Sequence, residues 1–176
     1  AVAVWSLDEP AEATSVTGRA QAVPAAVHGN VTFGGEGITG NAAAFDGNTT
    51  TGSYLATTQP VLDTYQSFAV AAWVKLPAGK ANQNMVVAAQ TGDTNWGFSL
   101  VHAPDGRGWT FRRWTSDDAA GSLACTASNP NCAAAGLGRW THVVGVHDID
   151  AGQLRLYVNG QLKATEAFTG RWTASG

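Results

Sequence analysis

The stretch from Arg139 to Ala167, RWTHVVGVHDIDAGQLRLYVNGQLKATEA, constrains what this chain can fold into more than any other part of it. Arg139 to Asp148 is rich in β-branched and aromatic residues, Asp150-Ala151-Gly152 is turn chemistry, and Gln153 to Val158 alternates polar with apolar. Asn159-Gly160 follows, a strong hairpin signal because a tight type I′ turn needs positive φ at both central residues. Three consecutive antiparallel strands are therefore predicted. In the second of them Leu154, Leu156 and Val158 point one way, while Gln153, Arg155 and Tyr157 point the other. An apolar sheet face has to be covered by another layer, so the fold class predicted is an all-β, two-sheet antiparallel sandwich.

The rest of the chain agrees. Ala1 to Leu7 alternates well enough for a strand, and Asp8-Glu9-Pro10 ends it because proline removes a ladder donor. Residues 11–30 carry Thr14, Val16, Thr17, Gly18 and Pro24 in an alanine-rich context, which predicts short irregular strands rather than a helix. Short strands are expected at Val31 to Phe33, Asn41 to Phe45 and Gly52 to Thr57. Ser67 to Leu76 is apolar on both sides, as for a central strand covered on both faces. Met85 to Gln90, Trp96 to His102 and Gly108 to Trp114 continue the series. Along the last, Trp109, Phe111 and Arg113 share one face, and Thr110, Arg112 and Trp114 the other. Thr115 to Gly138 reads as a long loop.

The order of these signatures resembles the laminin-G-like jelly roll, the concanavalin A-like sandwich found in many secreted bacterial proteins. The residues that carry the resemblance are Val4 to Glu9, Gly37 to Ala42 with Ala44-Phe45-Asp46-Gly47, Ser67 to Lys75, Arg139 to Val146 and Leu154 to Gly160. The resemblance implies one jelly-roll domain over 1–176, part of a larger protein. Family members usually carry an Asp-x-Ser-Gly-like segment after the opening strand, where Ala13 to Gly18 stands here, and further closing strands beyond the region of Phe168 to Gly176. A strand supplied by another chain, or by the rest of a larger protein, is accordingly expected against Phe168, Trp172 and the apolar side of Ala1 to Leu7.

Composition narrows the function. Charged residues are only 13% of the chain and the formal charge is -3, with Arg112-Arg113 the densest basic pair, so no nucleic-acid partner is expected. No apolar run approaches the roughly 20 residues of a membrane helix, which predicts no membrane insertion. Cys125 and Cys132, the only cysteines, have no Cys or His neighbours suited to zinc or redox chemistry, and are expected to form a disulfide. Such a bridge implies a secreted, extracellular setting.

Among candidate sites, Asp148 and Asp150 lack the third carboxylate that glycoside hydrolases on this fold use, and Asp150 belongs to a turn. His28, His102, His142 and His147 stand alone, and no nucleophile elbow is present. No catalytic role is expected. Carbohydrate binding has more support, since sugars stack their apolar faces on tryptophan and offer polar edges to Asp, Asn and Arg. Asp93, Asn95, Trp96, Arg112 and Trp114 supply that combination. Trp5, Trp73 and Trp140 sit in strand motifs and are expected in the core. Asp46 and Asn48 are the candidate ligands for calcium, the one cofactor the resemblance leaves open, although turn formation accounts for them as well. The function expected is a non-catalytic glycan-binding or adhesion module whose partner is a glycan or a protein surface. The alternative is a structural or protein-protein interaction module.

Overall fold

A computed structural model of the chain describes residues 2–20, 22–48, 50, 52–80, 82–104, 108–126 and 136–176. They form two compact units, residues 1–61 with Gly176, and residues 62–175. Apart from a single 3-10 turn at Ala78–Lys80, the regular structure among the described residues is β.

Among the described residues the first unit holds seven short strands, β1 Ala3–Val4, β2 Ser15–Val16, β3 Arg19–Ala20, β4 Ala25–His28, β5 Val31–Glu36, β6 Asn41–Phe45 and β7 Tyr54–Thr57. They pair as β1-β3, β2-β4-β7 and β5-β6. The opening strand is much shorter than the alternation of Ala1 to Leu7 suggests, because its register with Arg19–Ala20 lasts two residues. Val16, Ala25 and Phe33 form the buried centre, with Trp5 and Leu7 packed against it. Trp5 is only half-buried, and its indole N–H donates to Val23 O at 3.1 Å. Asp8 caps the turn before β6, accepting the Asn41 amide at 2.7 Å.

The second unit is the sandwich. Its strands are β8 Phe68–Lys75, β9 Met85–Thr91, β10 Trp96–Ala103, β11 Gly108–Trp114, β12 Leu123–Cys125, β13 Trp140–Asp148, β14 Gln153–Val158 and β15 Gln161–Ala167. One antiparallel sheet runs β12-β11-β10-β9 and the other β15-β14-β13-β8. The β14–β15 turn has φ of 50° at Asn159 and 77° at Gly160, the paired positive values a type I′ hairpin requires. Leu154, Leu156 and Val158 are buried and their alternates are not, so the periodicity of β14 is realised. Between the sheets lie Leu76, Phe98, Leu100, Trp109, Phe111, Val143, Leu154, Leu156 and Phe168.

Sheet separation is set in part by Gly145, where a Cβ would overlap the Phe111 ring. Gly145→Ala is therefore expected to destabilise the chain by about 1 to 3 kcal/mol, the usual range for overpacking a filled core, as read from the urea midpoint at constant m-value. An unchanged midpoint would mean that the ring can swing aside.

Several expectations need correction. Strand β8 is not central: among the described residues it pairs only with β13 in its sheet, and its exposure alternates. Trp73 on its outward side is 48% exposed and lies 5.0 Å from the His142 ring. Small apolar residues on both sides of a strand do not say how many layers cover it, and here Ala69, Ala71 and Trp73 line a surface. Trp140, likewise, is half-buried rather than core. The loop Thr115 to Gly138 contains strand β12, in register with β11 through Arg112↔Cys125, Arg113↔Ala124 and Trp114↔Leu123. Phe168 and Trp172 do not await an outside strand: Phe168 belongs to the core cluster of this unit, Trp172 donates its indole N–H to Trp114 O, and in the folded chain they are 3% and 9% exposed. The expected Cys125–Cys132 bridge lies outside the described residues.

Candidate functional site

Strand β11 carries its alternation into two environments. Trp109, Phe111 and Arg113 are fully buried toward the core, while Arg112 and Trp114 look away from it. On that outward face Ser99 of β10 stands opposite Arg112, and Leu123 of β12 opposite Trp114. Thr94 and Asn95, which lead into β10, and Trp96, its first residue, complete the wall. Together these seven residues line a cleft of about 280 Å³.

The wall is held by a carboxylate hub. Asp117 accepts the amides of Asp93 (2.9 Å), Thr94 (3.0 Å) and Asn95 (2.8 Å), so a single side chain satisfies three consecutive backbone donors. The Asn95 amide does most to hold its carboxyl below the ordinary carboxylate value, and Asp93 and Thr94 add to this against a desolvation that raises it. A depressed acid contributes order above its unfolded pKa and loses it as pH falls through the folded one. The Asn95 side-chain amide donates across the same gap to Ser116 O at 2.9 Å and Asp118 O at 2.7 Å. Trp172 anchors the far end, its indole N–H donating to Trp114 O at 2.8 Å.

The cleft presents aromatic surface and unsatisfied polar groups side by side. Trp96 is 38% exposed. Ser99 is 1% exposed, and its hydroxyl has no hydrogen-bond partner among the described residues; the buried Nε of Arg112 has none either. A buried donor left unpaired costs about 1 to 3 kcal/mol, so two beside one cavity mark a place where an outside acceptor would be stabilised.

Four of the five residues expected to bind a sugar, Asn95, Trp96, Arg112 and Trp114, meet at this cleft. Asp93 does not line it, and its carboxylate instead accepts the Ser175 hydroxyl at 3.3 Å. Ser99 and Leu123 were not foreseen, because cross-strand register alone places them there, and Thr94 comes to the cleft through the loop that Asp117 holds. Asp46 and Asn48 serve a turn: Asp46 accepts the Asn30 side chain at 3.0 Å and the Asn48 amide at 2.9 Å, and Asn48 accepts the Thr50 amide at 2.8 Å. No group of three or more His, Cys, Asp or Glu able to hold a metal occurs among the described residues. Asp148 is engaged with Arg155 at 3.2 Å and with the Ala151 amide at 3.0 Å.

A family model of the concanavalin A-like lectin/glucanases superfamily, in its laminin-G form, matches residues 46–176. The chain belongs to this superfamily. Among solved structures, this concanavalin A-like chain is similar to domain 4 of AbnA, an extracellular arabinanase from Geobacillus stearothermophilus, in complex with arabinotriose. The two share 20% identity at a TM-score of 0.63, over 98% of this chain and 79% of that one. It is also similar to the binding domain of botulinum neurotoxin serotype G, with 13% identity and a TM-score of 0.62 over 92% of this chain and 39% of that one. The binding domain of botulinum neurotoxin DC, in complex with rat synaptotagmin II, shows 16% identity and a TM-score of 0.59 over 94% of this chain and 40% of that one. At these identities the likeness is one of fold. No curated protein sequence matches the chain. No helix among the described residues is long and apolar enough to cross a membrane.

Proposed function

We propose that this chain is a non-catalytic glycan-binding module of a secreted, multidomain protein. The observation that carries the reading is the cleft itself: two tryptophans flank unpaired polar groups on Ser99 and Arg112, the pairing of stacking surface with hydrogen-bonding edge that a sugar ring requires. Binding of arabinotriose by a domain of the same fold supports a carbohydrate ligand. Secretion is proposed from Cys125 and Cys132, whose pairing would need an oxidising compartment.

The test is a glycan array on the isolated chain, with and without calcium. Binding should appear, and Trp114→Ala should weaken it by about 1 to 3 kcal/mol, the range for losing an aromatic anchor. An array without signal would remove the reading.

A protein-binding module is the second reading. It is favoured by the outward face of β8 and β13, where Trp73 is 48% exposed, and by the complex of a similar toxin domain with synaptotagmin. Loss of partner binding on Trp73→Ala, with sugar binding absent throughout, would be its signature.

A further inference from the structure

The geometry points to a specific ligand chemistry for the cleft of Asn95, Trp96, Ser99, Arg112 and Trp114: the carboxylate-bearing ring of an acidic polysaccharide, a uronic acid. This inference rests on the reading of the cleft as a sugar site and adds which sugar.

Charge balance carries the argument. Among the described residues Arg112 is the one cation lining the cleft, and no described carboxylate lines it. Three described acids that flank the cleft residues in sequence are otherwise engaged. Asp117 accepts three backbone amides, Asp118 accepts the Ala120 amide at 2.8 Å, and Asp93 accepts the Ser175 hydroxyl. No ion pair of Arg112 occurs among the described residues. A buried guanidinium nitrogen without a counter-charge is a strong donor awaiting an anion, and a planar carboxylate matches its fork better than a neutral hydroxyl does. Ser99 stands directly across from Arg112 in the ladder, and its buried hydroxyl is equally unpaired. One carboxylate can therefore accept from both, one oxygen to each. Trp96 and Trp114 remain for the apolar face of the ring. At about 280 Å³ the cleft is near the lower end of ligand pockets, which suits one or two sugar units rather than a long chain.

The experiment is calorimetric titration of the chain with trimers of galacturonate, glucuronate and mannuronate. Each is set beside its methyl ester, which keeps shape and removes charge, and beside a sulfated neutral trimer. One of the acids should bind roughly tenfold or more tighter than its ester, the usual advantage of a charge-assisted hydrogen bond. Arg112→Gln should bring acid and ester within about twofold, because the acid loses more affinity than the ester does. Ser99→Ala, the milder substitution, should lower the acid-to-ester ratio in the same direction and guards against an Arg112 variant that does not fold. Equal binding of acid and ester would overturn the inference and leave the sugar-binding reading standing. Tighter binding of the sulfated trimer would overturn the carboxylate assignment. If none of the sugars binds, and the array is also blank, both readings fall together.

Discussion

Phe111→Ala is expected to lower the stability of the chain by about 3 to 5 kcal/mol, the usual cost of truncating a buried aromatic. The ring is fully buried and packs between Phe68, at 6.2 Å, and Phe98, at 6.3 Å. Its far side meets the backbone of Gly145, which has no side chain that could move in to fill the void. Relaxation is therefore limited, and the cost should lie toward the upper part of the range. Phe111→Leu keeps most of the volume and should lose less than half as much. The measurement is urea unfolding at constant m-value. A loss below about 1 kcal/mol for the alanine variant would show that the two sheets do not depend on this contact.

The second large effect concerns acid. His147 is 1% exposed, edge-on to Phe68 and Phe168, with Nδ1 3.0 Å from Gln66 O. Arg113 Nη1 approaches its ring to 2.7 Å from Nδ1 and 3.2 Å from Nε2. Arg113 itself is fully buried, donates from Nε to Gly97 O at 2.6 Å, and lies over the Phe68 and Phe168 rings at 5.3 and 5.1 Å. Burial lowers this guanidinium to about 10, which still leaves it charged at neutral pH. A neutral imidazole suits the site, donating from Nδ1 to Gln66 and accepting from Arg113 at Nε2, whereas the second N–H of an imidazolium would face the Arg113 donor and add a second positive charge. Burial first, and then the Arg113 charge, push His147 down to about 4.

The folded value lies below the unfolded one of about 6.5, so His147 leaves stability intact above pH 6.5 and withdraws it as pH falls toward 4. The loss across that window is on the order of 2 to 3 kcal/mol. Urea midpoints taken from pH 7 to pH 4 should fall accordingly. His147→Gln, which can still donate to Gln66 and accept from Arg113, should flatten the His147 part of the slope while the carboxylates keep theirs. An identical profile in the variant would assign the acid sensitivity elsewhere.

The cleft illustrates how a legible pattern becomes a site only through pairing. The alternation Trp109-Phe111-Arg113 against Arg112-Trp114 is visible in the chain, and the structure buries the first set and places the second at the cleft. Ser99 carried no signal of its own. It is one of many serines until the β10–β11 register sets it opposite Arg112.

What the sequence determined by itself was local. Periods of two, the Asn159-Gly160 turn and the β-rich Trp140–Asp148 strand follow from backbone sterics and side-chain shape, which act between near neighbours. The order of those elements also sufficed for the concanavalin A-like fold. Only the tertiary structure decided that β8 would leave Trp73 at the surface, that Phe168 and Trp172 would be covered by the chain itself, and that Arg113 would lie in the core beside a neutral histidine. Those outcomes depend on which distant segments meet and how much water they exclude. Burial and pKa are properties of that meeting, and no single stretch of chain contains them.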